Sequence, residues 1–441
     1  MRNTLTFEWV LEPAGLAGPR TLHFDAAGRI ERIEPATTLE RDGYLALPGM
    51  ANAHSHVFQR ALRGIGEGGG HESFWLWRRA MYRLAGVLDP DELHAIATVA
   101  FAEMLEGGFT AVGEFHYLHH LRDGSRSSKM ASAIAAAAGD VGIRLRLLPV
   151  YYRCGGFGRA AEPEQQRFVH TGLADFAQTI EHCGSDCAGI APHSLRAVPV
   201  EELPGLIALA DETLGAACPV HIHVSEQPAE VRDCVRHYAR PPVLLLDEKV
   251  GLGPRWHLIH ATHAGLTERR LIAARGASVV LCPLTEGQLG DGWFPAGEFV
   301  AADGRIAIGS DSNVRIDACE EMRMLEFAQR AATHQRNVLG GPLGPGLTLW
   351  RELARTGAQS VASRGGEIAV GHVADLVVLG QEGLLSGVPV RSAVDVLLLS
   401  GGRGEPFDVY VAGQLRVRRG RTLAHPDHAG LTRVLERVWS G

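Results

Sequence analysis

Eight short apolar segments recur along the middle of this 441-residue chain, with helical stretches between them. They are YLALPGMANA (44–53), TAVGEFHY (110–117), IRLRLLPVYY (143–152), AGIAPHS (188–194), PVHIHVSE (219–226), WHLIHATH (256–263), SVVLCPLTE (278–286) and RIAIGSDSN (305–313). Helical runs such as 91–106, 128–140, 200–216 and 266–275 separate them. Near-continuous apolar runs of this length suit parallel strands buried on both faces. Parallel neighbours need long crossovers, and eight strand–helix units close into a TIM-like (β/α)8 barrel. An open doubly wound sheet would place a Gly-rich phosphate loop directly after its first strand. GIGEGGGHESF (64–74) lacks that spacing, does not join strand to helix directly, and reads as a loop.

The two ends of the chain have another texture. TLTFEWVL, RTLHFD and IERIEP at the start, and HVADLVVLG (372–380) and DVYVAGQLRVRRGR (408–421) at the far end, read as strands with turns between them. Neither end has enough strands for a stable sheet alone. The expected fold class is therefore α/β: a barrel over 48–370 and a small β-sandwich domain combining 1–47 with 371–441.

Composition removes several function classes. A formal charge of −7 with no basic block argues against a nucleic-acid binder, and RVRRGR (416–421) alternates like a solvated strand face. Seven scattered cysteines form no zinc-ribbon or disulfide spacing, and Cys183 and Cys187 read as ordinary thiols. The opening MRNTLTFEWVLEP has no apolar leader, and no apolar run nears the ~20 residues of a membrane span. A reduced cytoplasmic protein with no membrane partner is expected.

Barrel chemistry sits at the C-terminal ends of the strands, and those ends are unusual here. Strand one ends in His54-Ser55-His56, strand five in HIHVSE with His221, His223 and Glu226, strand six in His260 and His263, and strand eight in Asp311. Alternate residues of a strand point to one side, so His-x-His offers two imidazoles to one ion. Another His and an Asp would complete the shell and leave room for water. Nitrogen and oxygen donors fit Zn²⁺, Fe²⁺ or Mn²⁺. Such an ion lowers the pKa of bound water from ~15.7 to about 7.

The same residues resemble the amidohydrolase superfamily: the His-x-His of strand one, HIHVSE, His260 and GSDS with Asp311. GEIAVGHVADLVVL (366–379) is similar to the segment where such chains leave the barrel. Strand three offers no metal-bridging lysine, so the resemblance implies the mononuclear deaminase branch. One ion, usually zinc, would then be held by His54, His56, His223 and Asp311, with Glu226, His260 and Asp311 catalytic. LPGMANAHSHVFQRALRG (47–64), APHSLRAV (191–198), HIHVSEQ (221–227) and LCPLTEGQLGDGWFPA (281–296) resemble the formimidoylglutamate deiminases of histidine catabolism. Those enzymes turn N-formimidoyl-L-glutamate and water into N-formyl-L-glutamate and ammonia, with metal-bound hydroxide attacking the amidine carbon. The resemblance makes Gln59, Tyr117, His193 and Arg196 the substrate-binding set.

Alternatives remain at this level. Another mononuclear aminohydrolase acting on a purine, pyrimidine or guanidino compound would keep the fold, as would an isomerase or lyase; a scaffold without metal would have lost ligands that are present here. A planar heterocycle calls for aromatic stacking, whereas an amino-acid diacid calls for cations. The expected partners are a small amino-acid substrate and a second copy of the chain, forming a homodimer. Arg60, Arg63, Arg78, Arg79 and Arg83 are further candidates for the substrate carboxylates, most of them reading as solvated helix residues, and His71 reads as part of the Gly-rich loop. His221 reads as packed one layer deeper than His223, His263 as lying past its strand end, and His116, His119 and His120 as a loop leaving strand two. Cys282 reads as a core cysteine.

Overall fold

A computed structural model describes residues 3–65, 73–401 and 407–439; His71 lies outside the described residues. The eight apolar segments form the strands of a barrel: Met50–Ser55, Phe109–His116, Arg144–Tyr151, Ala191–Pro192, Val220–Val224, Trp256–His260, Ser278–Leu281 and Arg305–Ile308. The first four pair in parallel as one sheet and the last four as another. Bridges Ile190–Val220 and Ser194–His223 join the sheets on one side, and Ser55–Asp311 closes the ring on the other. Every residue of Phe109–His116 is buried, as a strand lined by barrel interior and outer helices requires.

The helices form where caps and apolar stripes coincide. Pro90–Glu106 starts with a capping box: Asp89 accepts from the Glu92 amide at 2.9 Å, and the Glu92 carboxylate accepts from the Asp89 amide at 3.1 Å. Its buried stripe, Leu93, Ile96, Ala100 and Leu105 among others, packs under the barrel wall. The chain's last described helix, His428–Trp439, was hidden in the strand-like texture of the far end. It buries Leu431, Val434 and Val438, and Arg437 bonds Glu92 at 2.8 Å.

Strands from both ends share one nine-stranded sheet that fits a β-sandwich domain with a core of its own, including Phe7, Val10, Leu22, Ala46, Leu376 and Val378. The segment 44–53, read from sequence as one barrel strand, divides between the two parts. Gly43–Pro48 pairs with Thr4–Glu12 and Leu376–Leu379 in the outer sheet, and Met50–Ser55 enters the barrel. Gly49 is the pivot, because a Cβ there would meet Thr110 Oγ1 at 2.4 Å. Among the described residues no helix is long and apolar enough to cross a membrane.

Candidate metal centre and substrate pocket

Five side chains converge inside the C-terminal rim of the barrel. Nε2 of His54 and Nε2 of His223 are 3.1 Å apart. Asp311 Oδ1 lies 3.3 Å from His54 Nε2 and 3.4 Å from His56 Nε2, and Asp311 Oδ2 is 3.8 Å from His260 Nε2. One donor atom from each of His54, His223, His260 and Asp311 falls within 4.8 Å of the others. His56 stands just beside this set, its ring 4.6 Å from that of His54 and stacked on His223 at 5.5 Å.

Tight turns aim these groups. Ser225, His260, Ala261, Asp311 and Asn313 all have positive φ, between 46° and 65°, where strands five, six and eight end. Left-handed backbone at non-glycine residues costs of order 1–3 kcal/mol and persists only where surroundings enforce it. At the seam, Asn52 Nδ2 bonds Ser310 Oγ at 2.6 Å, and Asn313 Nδ2 bonds Ser55 Oγ at 3.1 Å. Gly309 allows this approach, since a Cβ there would meet the His54 backbone oxygen at 2.6 Å. The seam thus sets Asp311 against both histidines of strand one.

The donor set suits a divalent cation. Burial pushes His54 down to about 3 against the pull of Asp311, and it lowers His56 and His223 as well. These rings are therefore neutral, and each can present a lone pair. His56 Nδ1 lies 3.1 Å from the Phe115 carbonyl and His223 Nδ1 3.0 Å from the His193 carbonyl, which leaves both Nε2 atoms facing the centre. Two imidazole nitrogens at 3.1 Å beside a carboxylate are mutually repulsive without a cation or proton among them. Burial would raise Asp311, but the hydrogen bond with His54 and the neighbouring imidazoles hold it below its ordinary range. His260 behaves in the opposite way: its burial is outweighed by the hydrogen bond to Glu286 and the charges of Glu226 and Asp311, which bring it up to about 10.

A cavity opens above the cluster. Its lining includes every substrate-binding residue expected from the sequence: Gln59, Tyr117, His193 and Arg196. Gln59 Nε2 donates to the Tyr117 hydroxyl at 2.8 Å, while its Oε1 is buried without a protein partner among the described residues. Arg196 does not stand alone. Its NH2 bonds Glu226 Oε2 at 2.8 Å, and its Nε lies 3.5 Å from Glu230 Oε2. Arg78, one of the further arginine candidates, also lines the cavity and donates to the Tyr82 hydroxyl at 2.8 Å. Arg60, another of those candidates, is instead buried, bonding Glu103 at 2.8 Å and the Asn313 carbonyl at 2.8 Å.

A family model for the amidohydrolase family matches residues 45–401. The chain belongs to the amidohydrolase family. It is 40% identical to the formimidoylglutamate deiminase of Pseudomonas aeruginosa over 96% of this chain and 95% of that one. Among solved structures, an amidohydrolase from Brucella melitensis superposes with a TM-score of 0.90 at 38% identity, covering 99% of this chain and 100% of its own. An adenosine deaminase from Xanthomonas campestris with bound zinc gives 0.81 at 25% identity, covering 99% and 98%.

Several pocket features of this amidohydrolase escaped sequence reading. Tyr82, Tyr152 and Phe168 form aromatic walls, although they come from helix, strand end and loop with no common spacing. Glu286 sits in the helix Pro283–Leu289 that follows strand seven, fully buried, with Oε1 3.2 Å from His260 Nδ1. Asp291, pushed up to about 8 by burial and by Glu226, accepts from the Gln227 side-chain Nε2. The carboxylates of LTEGQLGD gave the only hint in the sequence, without indicating which one would face the rim. His221 bonds the Ser360 carbonyl at 2.7 Å, His263 bonds the Asp291 carbonyl at 2.8 Å, and Cys282 is buried.

Proposed function

We infer that this amidohydrolase hydrolyses N-formimidoyl-L-glutamate to N-formyl-L-glutamate and ammonia. The observation that carries this reading is the near full-length kinship to a formimidoylglutamate deiminase. It is supported by a cavity that combines the His/Asp cluster with two guanidinium groups, Arg78 and Arg196. In this reading His54, His56, His223 and Asp311 hold one zinc ion, and His260 faces the reacting carbon. When bound, the ion supplies Lewis acidity that makes water nucleophilic near neutral pH.

The reaction forms one C–O bond, breaks one C–N bond and moves both protons of water onto the departing nitrogen. Asp311 is placed to take the first proton. Glu226 is placed to carry protons to the leaving nitrogen, with its carboxylate oriented by the 2.8 Å bond from Arg196. His260 can donate through Nε2 to oxygen as charge develops there. Gln59 Oε1 is an open acceptor for a substrate N–H. Arg78, Tyr117, His193 and the remaining capacity of Arg196 serve the two carboxylates, because planar guanidinium groups pair bidentately with them. The reading also places barrel and sandwich at 48–370 and 1–47 plus 371–441, in a cytoplasmic homodimer.

The aromatic walls Tyr82, Tyr152 and Phe168 favour a second reading, deamination of a planar heterocycle. Ammonia release from N-formimidoyl-L-glutamate, guanine, cytosine and guanidino acids separates the two. Release from the first compound alone is expected. No release from it would overturn the proposed function.

A further inference from the structure

We propose that Glu286 is a positioning residue for His260, fixing which ring nitrogen faces the reacting centre. The inference rests on the proposed function only in treating His260 as a reacting group.

Glu286 is 2% exposed, and its Oε1 lies 3.2 Å from His260 Nδ1. The same oxygen accepts from the Cys282 amide at 3.0 Å, so the carboxylate is tied to the end of strand seven. The Glu286 carbonyl accepts from the Asp291 amide at 2.9 Å, which closes the turn behind it. On the other side, His260 Nε2 faces Asp311 Oδ2 at 3.8 Å. A carboxylate accepts only, so the Nδ1 that it meets must carry a proton. The ring then presents Nε2 to the pocket and cannot turn over without breaking the Glu286 bond. His260 also has φ of 65° and Ala261 49°, so its backbone is held in the left-handed region as well. Orientation is therefore set from two sides, by strained backbone below and by Glu286 laterally. His56 and His223 are held differently, by backbone carbonyls at Nδ1. Only His260 among the rim imidazoles has a carboxylate at Nδ1 among the described residues.

The test compares zinc-loaded wild type with Glu286→Gln and Glu286→Ala, reading kcat, KM, zinc content and the ¹⁵N shifts of His260 in histidine-labelled protein. Glu286→Ala is expected to lower kcat by about 10–100-fold with KM within a few-fold and zinc stoichiometry unchanged. His260 should at the same time lose its fixed Nδ1–H signature. Glu286→Gln keeps an acceptor oxygen in place and should restore the signature and most of kcat. If Glu286→Ala fails to fold, the glutamine variant is compared with Glu286→Leu at the same position. Unchanged His260 shifts in Glu286→Ala, or in Glu286→Leu where that variant replaces it, would overturn the proposal, as would loss of zinc in proportion to activity. If wild type releases no ammonia from N-formimidoyl-L-glutamate, the proposed function falls, and the ¹⁵N shifts still decide the role of Glu286.

Discussion

Two groups of buried histidines lie on this barrel, and they differ in where their nitrogens go. At the rim, His54, His56 and His223 have ring centres 4.6 to 5.5 Å apart. Behind the pocket, His116, His119, His120 and His170 are spaced almost identically, with contacts of 4.9 Å, 5.1 Å and 5.5 Å. The rim nitrogens converge on each other and on Asp311. In the second group three rings bond elsewhere instead: His119 bonds the Val150 carbonyl at 2.9 Å, His120 the Val169 carbonyl at 2.9 Å, and His170 the Thr179 hydroxyl at 3.0 Å. Asp175, whose charge reaches His170, is held instead by Arg126 at 2.7 Å. Ring proximity and burial are thus common to both. What distinguishes a candidate metal centre is convergent lone pairs around a carboxylate.

The largest expected effect breaks the rim alone. Asp311→Asn should lower kcat/KM by at least about 10³-fold and deplete bound metal, since it removes a ligand and a proton acceptor together. The matching change in the second group, His119→Asn, should leave metal at wild-type stoichiometry; elemental analysis of both proteins makes the comparison. Equal metal loss in both would erase the distinction drawn here.

Glu226→Gln comes next, with kcat reduced about 10²–10⁴-fold and metal retained. Full activity in this variant would remove Glu226 from the proton path. Arg78→Met should raise KM for N-formimidoyl-L-glutamate about 10–100-fold, the loss of a charge-assisted hydrogen bond, with a much smaller change in kcat. Steady-state kinetics on the diacid substrate checks it.

The smallest effect concerns the second group. Burial, reinforced by neighbouring imidazole charge, pushes His116 and His170 down to about 3 and holds His119 well below its ordinary value. The unfolded chain, with histidines near 6.5, therefore binds more protons than the folded one between about pH 6.5 and 3. The stability from these neutral rings is complete above 6.5 and is lost progressively as pH falls through that window. The melting temperature of the metal-loaded protein should decline from pH 7 to pH 5, and His116→Phe should flatten the decline. An equally steep decline in that variant would place the acid sensitivity elsewhere.

The fold and the rim were legible in the sequence to different depths. Buried parallel strands must be apolar, so the barrel could be read as a series of runs. Polar residues at the ends of such runs stand out, which exposed His54, His56, His223, His260 and Asp311. The turn at Gly49 was not legible, because an apolar strand looks the same whichever sheet it joins. The helix His428–Trp439 was masked by flanking strand-like texture. Which of the further arginine candidates would face the pocket was not legible, because charge on a helix is usually solvated; here Arg78 lines the cavity and Arg60 is buried against Glu103.

By itself, then, the sequence determined the repeating architecture, the family and the donor residues, since each depends on local pattern: strand length, burial period and residue type. Tertiary structure decided the partners. Arg196 with Glu226, Glu286 with His260, and Gln59 with Tyr117 are separated by 30, 26 and 58 positions along the chain. No periodicity links such pairs. They meet because barrel closure brings the ends of different strands to one rim, and that closure is set by packing and register over the whole ring.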